Sequence, residues 1–258
     1  MRIIITGATS GIGRGLAVHY AEQGHIVGAI ARRANLLEEL QSECGPSIVP
    51  LPTDLRDGPG LKAAINSFAE QQGGLDLVYA NAGVGQHAPE EGWDPEKARQ
   101  ITEINVVGSL NTLTAAARVM VAQGSGRLVG ISSLAAQCPL PASAAYGASK
   151  QWMVFYLRSL AMDLEPQGVF CTVVMPGYVP TALADGQFAA NDALLTPGAR
   201  RAAKLIATRV ARGDSTIRFP RKISVLSRVA MLTPPAIRAR HQRKRLARRQ
   251  AARTATDG

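Results

Sequence analysis

The chain has 258 residues, 46% hydrophobic and 19% charged, which suits one large folded domain and argues against disorder as its general state. Three cysteines, Cys44, Cys138 and Cys171, stand far apart with no CxxC pair, so neither a disulfide framework nor a zinc site is indicated and a reducing compartment is the simpler expectation. The net charge of +10 is uneven: residues 1–199 hold 12 Lys/Arg against 17 Asp/Glu, while residues 200–258 hold 17 against two, so an anionic partner would feel the end of the chain rather than its body.

Short apolar runs alternate with longer amphipathic ones. "RIIITGA" reads as a buried strand, and "GRGLAVHYAEQG" as a helix stopped at Gly24. "HIVGAIAR" is a second strand, "ANLLEELQSEC" a second helix and "SIVPLPTDL" a third strand. "GPGLKAAINSFAEQQG" is the next helix and "LDLVYANAG" the fourth strand. "GRLVGISS", between two helical stretches, is the fifth; "GVFCTVVMPG" is the sixth and "STIRFP" the seventh. Strands alternating with helices predict an α/β fold, a doubly wound parallel sheet of about seven strands with helices on both faces. Nearly continuous apolar strands fit burial on both sides. No leader-like n-region, h-region and cleavage site precedes the first strand, and no uninterrupted apolar run reaches the ~20 residues that span a bilayer. The expectation is a cytoplasmic protein.

"TGATSGIG", Thr6 to Gly13, joins the first strand to the first helix. Glycines there let the backbone turn sharply and approach a pyrophosphate, and the helix N-terminus supplies free N–H groups and a positive dipole end. The alternative is a plain strand-to-helix turn. Tyr146 and Lys150, in "YGASK", lie one helical turn apart and so share a face. A phenol has a pKa near ~10, and a nearby ammonium favours its ionised form.

With "YANAG", "ISS" and "PGYVPT", in this order and spacing, the set resembles the short-chain dehydrogenase/reductase family from residue 2 to about residue 181. The resemblance implies a Rossmann-like sheet. It implies catalytic roles for Tyr146 as general acid/base, Lys150 as its cation and ribose ligand, Ser133 as holder of the substrate oxygen, and Asn105 as the link from Lys150 to solvent through water. Ser132, on the other face of the strand, is a weaker candidate than Ser133. It implies cofactor contacts from Gly7, Thr9, Ser10, Gly11, Ile12 and Gly13 at the turn. Asn81, Ala82 and Gly83 would line the adenosine–ribose path. Asp54, with Leu55 beside it, would meet the adenine amino group; the alternative for Asp54 is a helix N-cap. Pro176, Gly177, Val179 and Thr181 would fix the nicotinamide end and the pyrophosphate. No metal is implied.

Cofactor choice is read after the second strand. "AIARRANLL" places Arg32 and Arg33, not a carboxylate, where a 2′-phosphate would lie. NADP(H) is expected over NAD(H), with Arg32 the main contact; a solvated arginine pair at a helix start is the alternative. The candidate substrate walls, "LAAQCPLPAS" and "ALADGQFAANDALL", carry no Lys or Arg, so an apolar carbonyl or alcohol, open to being lipid-like, is favoured. The family commonly forms homo-oligomers, dimers or tetramers, through the helix carrying Tyr146 and the one before it.

The domain reading is a catalytic domain over 1–222 and an apolar-then-basic extension over 223–258. Ile223, Leu226, Val229, Ala230 and Ile237 make a helical stripe broken by Pro234 and Pro235, and the rest is almost wholly basic. Three readings stand for it: a helix packed on the body with a solvated tail, a peripheral anchor on an anionic membrane, or a nucleic-acid contact. The last is disfavoured by the absence of aromatic residues for base stacking. Two functions compete: an NADP(H)-dependent oxidoreductase, and a non-catalytic NADP(H)-binding sensor or scaffold acting through the basic tail.

Overall fold

β-Branched and other apolar residues dominate the strands, and side chains on both faces of each central strand are withdrawn from water. Ile3, Ile4 and Ile5 on β1 (Arg2–Thr6) are all fully buried. Only a sheet covered on both sides accommodates consecutive buried residues of this kind. In the computed structural model the described residues are 1–85, 93–139, 143–179 and 198–225.

The other strands are β2 (Ile26–Ala31), β3 (Ile48–Pro52), β4 (Leu77–Ala80), β5 (Gly126–Ile131), β6 (Val169–Pro176) and β7 (Thr216–Phe219). All pair in parallel, in the order β3-β2-β1-β4-β5-β6-β7. Helices α1 (Gly11–Glu22), α2 (Ala34–Cys44) and α7 (Ala199–Ala211) cover one face, and α3 (Gly58–Gln72), α5 (Gly108–Gln123) and α6 (Ala144–Leu164) the other, while α4 (Pro95–Thr102) leads toward α5. The expected doubly wound α/β sheet is therefore the fold. Gly15 allows α1 and α7 to touch: a Cβ there would stand 3.0 Å from the Ala203 Cβ and the Ala199 carbonyl.

The strand order reverses between β1 and β4. In such sheets ligands bind at the carboxyl ends of the strands, at that switch point. The glycine-rich turn, Asn81–Gly83, Ser132–Ser133 and Pro176–Gly177 lie at those ends, and Tyr146 and Lys150 come from α6.

Three particulars were not in the sequence reading. Between α4 and α5 the chain makes a π-helical turn, Glu103–Val107. The helix α7 was not named. The stretch Pro95–Gln123 is also long and apolar enough by composition to cross a membrane, yet half of its most apolar window is buried inside the fold, as in a core helix. At the far end, residues 221–225 are helical; Ile223 packs against the core and Ser224 is buried.

Candidate active site

The turn from β1 into α1 is braced from β4. The Thr6 hydroxyl donates to the Tyr79 carbonyl at 3.2 Å and accepts from the Asn81 and Ala82 N–H groups at 3.0 and 3.1 Å. The Asn81 amide donates to the Thr6 carbonyl at 2.9 Å. Gly7 and Gly11 take positive φ, 68° and 55°, a region open mainly to glycine. At Gly13 the reason is contact: a Cβ would fall 2.3 Å from the Gly7 carbonyl oxygen and 2.4 Å from Asn81 Nδ2. Ser10 is the N-cap of α1 without a side-chain capping bond, and no acidic residue occupies the first turn. No side chain closes the start of the helix, which leaves its opening amides available to an anion. Thr9 is half-buried, Ser10 is exposed, and Ile12 leans on the core. This cradle fits the pyrophosphate of a dinucleotide.

At the ends of β2 and β3, Arg32 and Arg33 are exposed, and Arg33 is the N-cap of α2. Asp54 does not cap α3. Asp57 does, its Oδ1 accepting from the Gly60 N–H at 3.0 Å. Asp54 is instead held by Arg56, whose Nη2 lies 2.6 Å from Oδ2. The Arg56 side chain holds the Asp54 carboxyl below the usual carboxylate range, against the opposing effect of burial. Leu55 is buried, and its carbonyl accepts from Asn111 Nδ2 at 2.9 Å. Arg56 is the residue that the sequence reading missed here.

The catalytic candidates converge from three elements. Asn105 sits in the π-turn, buried. Its Oδ1 accepts from the Val84 N–H at 2.8 Å, and its Nδ2 donates to the Val84 carbonyl and to Ser149 Oγ, both at 3.0 Å. Ser149 Oγ donates to the Tyr146 carbonyl at 2.7 Å, so Asn105 is tied to the first turns of α6. Lys150 is buried, its ammonium donating to the Ile131 carbonyl at 3.0 Å and standing 5.7 Å from the centre of the Tyr146 ring. A Cβ on Gly83 would come within 3.1 Å of Lys150 Nζ and 3.2 Å of Asn105 Oδ1, so Gly83 keeps the two polar groups reachable.

Two neighbouring serines divide the work at the end of β5. Ser132 is buried and donates to the Lys150 carbonyl at 2.7 Å, anchoring α6. Ser133 is half-buried, accepts from the Ala135 N–H at 3.1 Å and hydrogen-bonds with Tyr146. Burial pushes the Tyr146 phenol above its ordinary value, partly offset by the Ser133 bond, and burial lowers Lys150 to about 8. The expectation that Lys150 favours the phenolate is thus outweighed in the protein alone: desolvation dominates, and Nζ is directed at a carbonyl. Pro176 ends β6; Gly177 donates its N–H to the Phe219 carbonyl at 2.7 Å, and Val179 is buried. Thr181 and the wall "ALADGQFAANDALL" lie outside the described residues.

A family profile described as short chain dehydrogenase matches residues 1–192. An uncharacterized oxidoreductase of Myxococcus xanthus is 37% identical over 235 residues, spanning 90% of this chain and 92% of that protein. An 11-beta-hydroxysteroid dehydrogenase-like 2 of Arabidopsis thaliana is 30% identical over 243 residues, spanning 91% and 78%. Among solved structures, a short chain dehydrogenase/reductase from Burkholderia phymatum in complex with NAD superposes with a TM-score of 0.80 at 24% identity, over 90% of this chain and 95% of that one.

Proposed function

The chain belongs to the short chain dehydrogenase family, an oxidoreductase family, and from that membership we propose that it is an NADP(H)-dependent enzyme acting on a carbonyl or alcohol of an apolar substrate. The observation that carries the reading is the convergence of Ser133, Tyr146 and Lys150 beside an uncapped, glycine-lined helix start. The solved relative's NAD supports a nicotinamide cofactor. Arg32 and Arg33, exposed at the end of β2, support the phosphorylated form.

The cofactor, when bound, supplies or takes the hydride. The residues do the rest. Ser133 positions the substrate oxygen beside Tyr146. In the reducing direction Tyr146 gives that oxygen its proton while the carbon–oxygen π bond breaks; in the oxidising direction it takes the proton back. Lys150 and the positive charge of an oxidised nicotinamide together lower the cost of the phenolate that burial alone raises. Asn105 holds α6 and the segment after β4 in one register. The apolar stretch around Leu134 to Cys138 suits an apolar substrate. A second copy of the chain would cover Phe155 and Met162, which stand 72% and 78% exposed on α6, and a homo-oligomer is the reading they support. The basic segment 226–258, outside the described residues, is read as an anchor to an anionic membrane surface.

The test pairs NADPH and NADH titrations by fluorescence, on wild type and Arg32→Ala, with a carbonyl panel on wild type and Tyr146→Phe. We expect NADPH to bind at least tenfold tighter, about 1.4 kcal/mol, the preference to fall in Arg32→Ala, and turnover to fall by at least ~10²-fold in Tyr146→Phe. Nucleotide binding without turnover on any carbonyl, and a cellular role intact in Tyr146→Phe, would favour the sensor instead.

A further inference from the structure

Both oxygens of Asp54 are taken by one neighbour. Arg56 Nε lies 3.1 Å from each, Nη2 lies 2.6 Å from Oδ2, and the Arg56 N–H donates to Oδ1 at 3.0 Å. Neither residue caps α3, since Asp57 does. The sheet register brings the pair to the arginines after β2. Ala31 pairs with Pro52, and the Thr53 N–H donates to the Ala31 carbonyl at 3.0 Å, so Arg32 and Asp54 leave adjacent strands together. After the larger effects of Arg56, the Arg32 cation also helps to keep the Asp54 carboxyl ionised.

We propose that Arg56 is a specificity-determining residue: by neutralising Asp54 it allows a 2′-phosphate to settle against Arg32. The inference rests on the NADP(H) reading above. A 2′-phosphate is strongly anionic at neutral pH. An unpaired carboxylate beside it would repel it and compete for the Arg32 guanidinium. With Arg56 in place, Arg32, Arg33, Asp54 and Arg56 carry a net +2; without it they carry +1 and a bare carboxylate. A nucleotide without the phosphate meets neither penalty. Asp57 and Glu103 line the same surface depression as Asp54 and Arg56, so no other cation in that lining would replace the lost one. The pair is an exposed one, with 49% and 32% of its side chains accessible, and such pairs contribute little to stability. Its work is therefore at the ligand rather than in the fold.

The test is calorimetric titration with 2′,5′-ADP and 5′-AMP, which isolates the 2′-phosphate without a nicotinamide or turnover. Wild type should bind 2′,5′-ADP at least tenfold tighter than 5′-AMP. Arg56→Gln should weaken 2′,5′-ADP about tenfold and 5′-AMP less than threefold. Adding Asp54→Asn to Arg56→Gln should restore 2′,5′-ADP binding, because it removes the bare charge while keeping a carbonyl oxygen for adenine. An Arg56→Gln protein that keeps the wild-type ratio overturns the inference alone. So does a double variant that shows no recovery, which would mean that Arg56 grips the phosphate itself. A wild type without preference overturns the NADP(H) reading, and the inference with it, before any variant is made.

Discussion

Lys150 has an ammonium with almost no water. Burial lowers its pKa to about 8 from an ordinary 10.5. Between those values the unfolded chain keeps a proton that the folded chain has released. Stability must therefore rise with pH across the window, and below about pH 8 the full cost of the buried charge is present. Lys150→Met removes that group while keeping its bulk. From about pH 7.5 to 9.5, wild type should gain about 1–2 kcal/mol relative to Lys150→Met in urea unfolding without cofactor. A difference that does not move with pH would mean that the ammonium is hydrated, contrary to its contact with the Ile131 carbonyl. The Tyr146–Lys150 relation was legible because helical spacing dictates which side chains share a face. The direction of the Tyr146 shift was not, since it depends on how much water the fold leaves around the phenol. The Asp54–Arg56 fork escaped for a related reason: two residues apart, the pair forms only in the particular turn that follows β3.

At the scale of elements, the β1–α1 turn works as one unit with the end of β4. Thr6 and Asn81 hold it shut across the sheet, and Gly13 is the point of closest approach. Gly13→Ala would place a methyl group 2.3 Å from the Gly7 carbonyl oxygen, and the neighbour is backbone, so the turn itself has to open. We expect a loss of about 1–3 kcal/mol in unfolding, and at least tenfold weaker nucleotide binding by fluorescence, because the cradle widens. A variant that melts early yet binds as wild type would separate the turn from the cofactor. Glycine spacing announced this element in the sequence, and apolar runs announced the first six strands; β7, TIRF, is only alternately buried. The π-turn carrying Asn105 was readable as "EINVVG" but not as a π-turn, a detail of backbone pairing with no side-chain signature. Helix α7 went unnamed because three of its five buried positions are alanines, Ala202, Ala203 and Ala207, beside Ile206 and Val210. Alanine marks a helix face only faintly, and the close approach to Gly15 that makes small residues useful there belongs to the folded state.

Across the whole molecule, charge and exit point bear on the same question. The acidic body and the basic end are one chain. Ile223 and Ser224 seat the start of the extension on the body, and Gln137, four residues beyond Ser133, contacts Ser224. Phe219 and Pro220 pack against Gly177 at the end of β6. The described start of the extension therefore leaves from the carboxyl end of the sheet, the end at which Ser133 also lies. If residues 226–258 meet a membrane, as proposed, the chain sets out toward it from that end of the sheet. That segment holds nine Lys/Arg against one Asp, and each basic residue near an anionic surface is worth about 1 kcal/mol. By that figure a fraction of them would suffice for the proposed binding at moderate salt. Full-length protein should sediment with phosphatidylserine-containing liposomes, release as salt rises, and ignore neutral liposomes. A chain ending at Val225 keeps Ile223 and Ser224, so it should stay in the supernatant while binding nucleotide within twofold of wild type. Full-length protein that never sediments with the anionic liposomes would remove the membrane from the account.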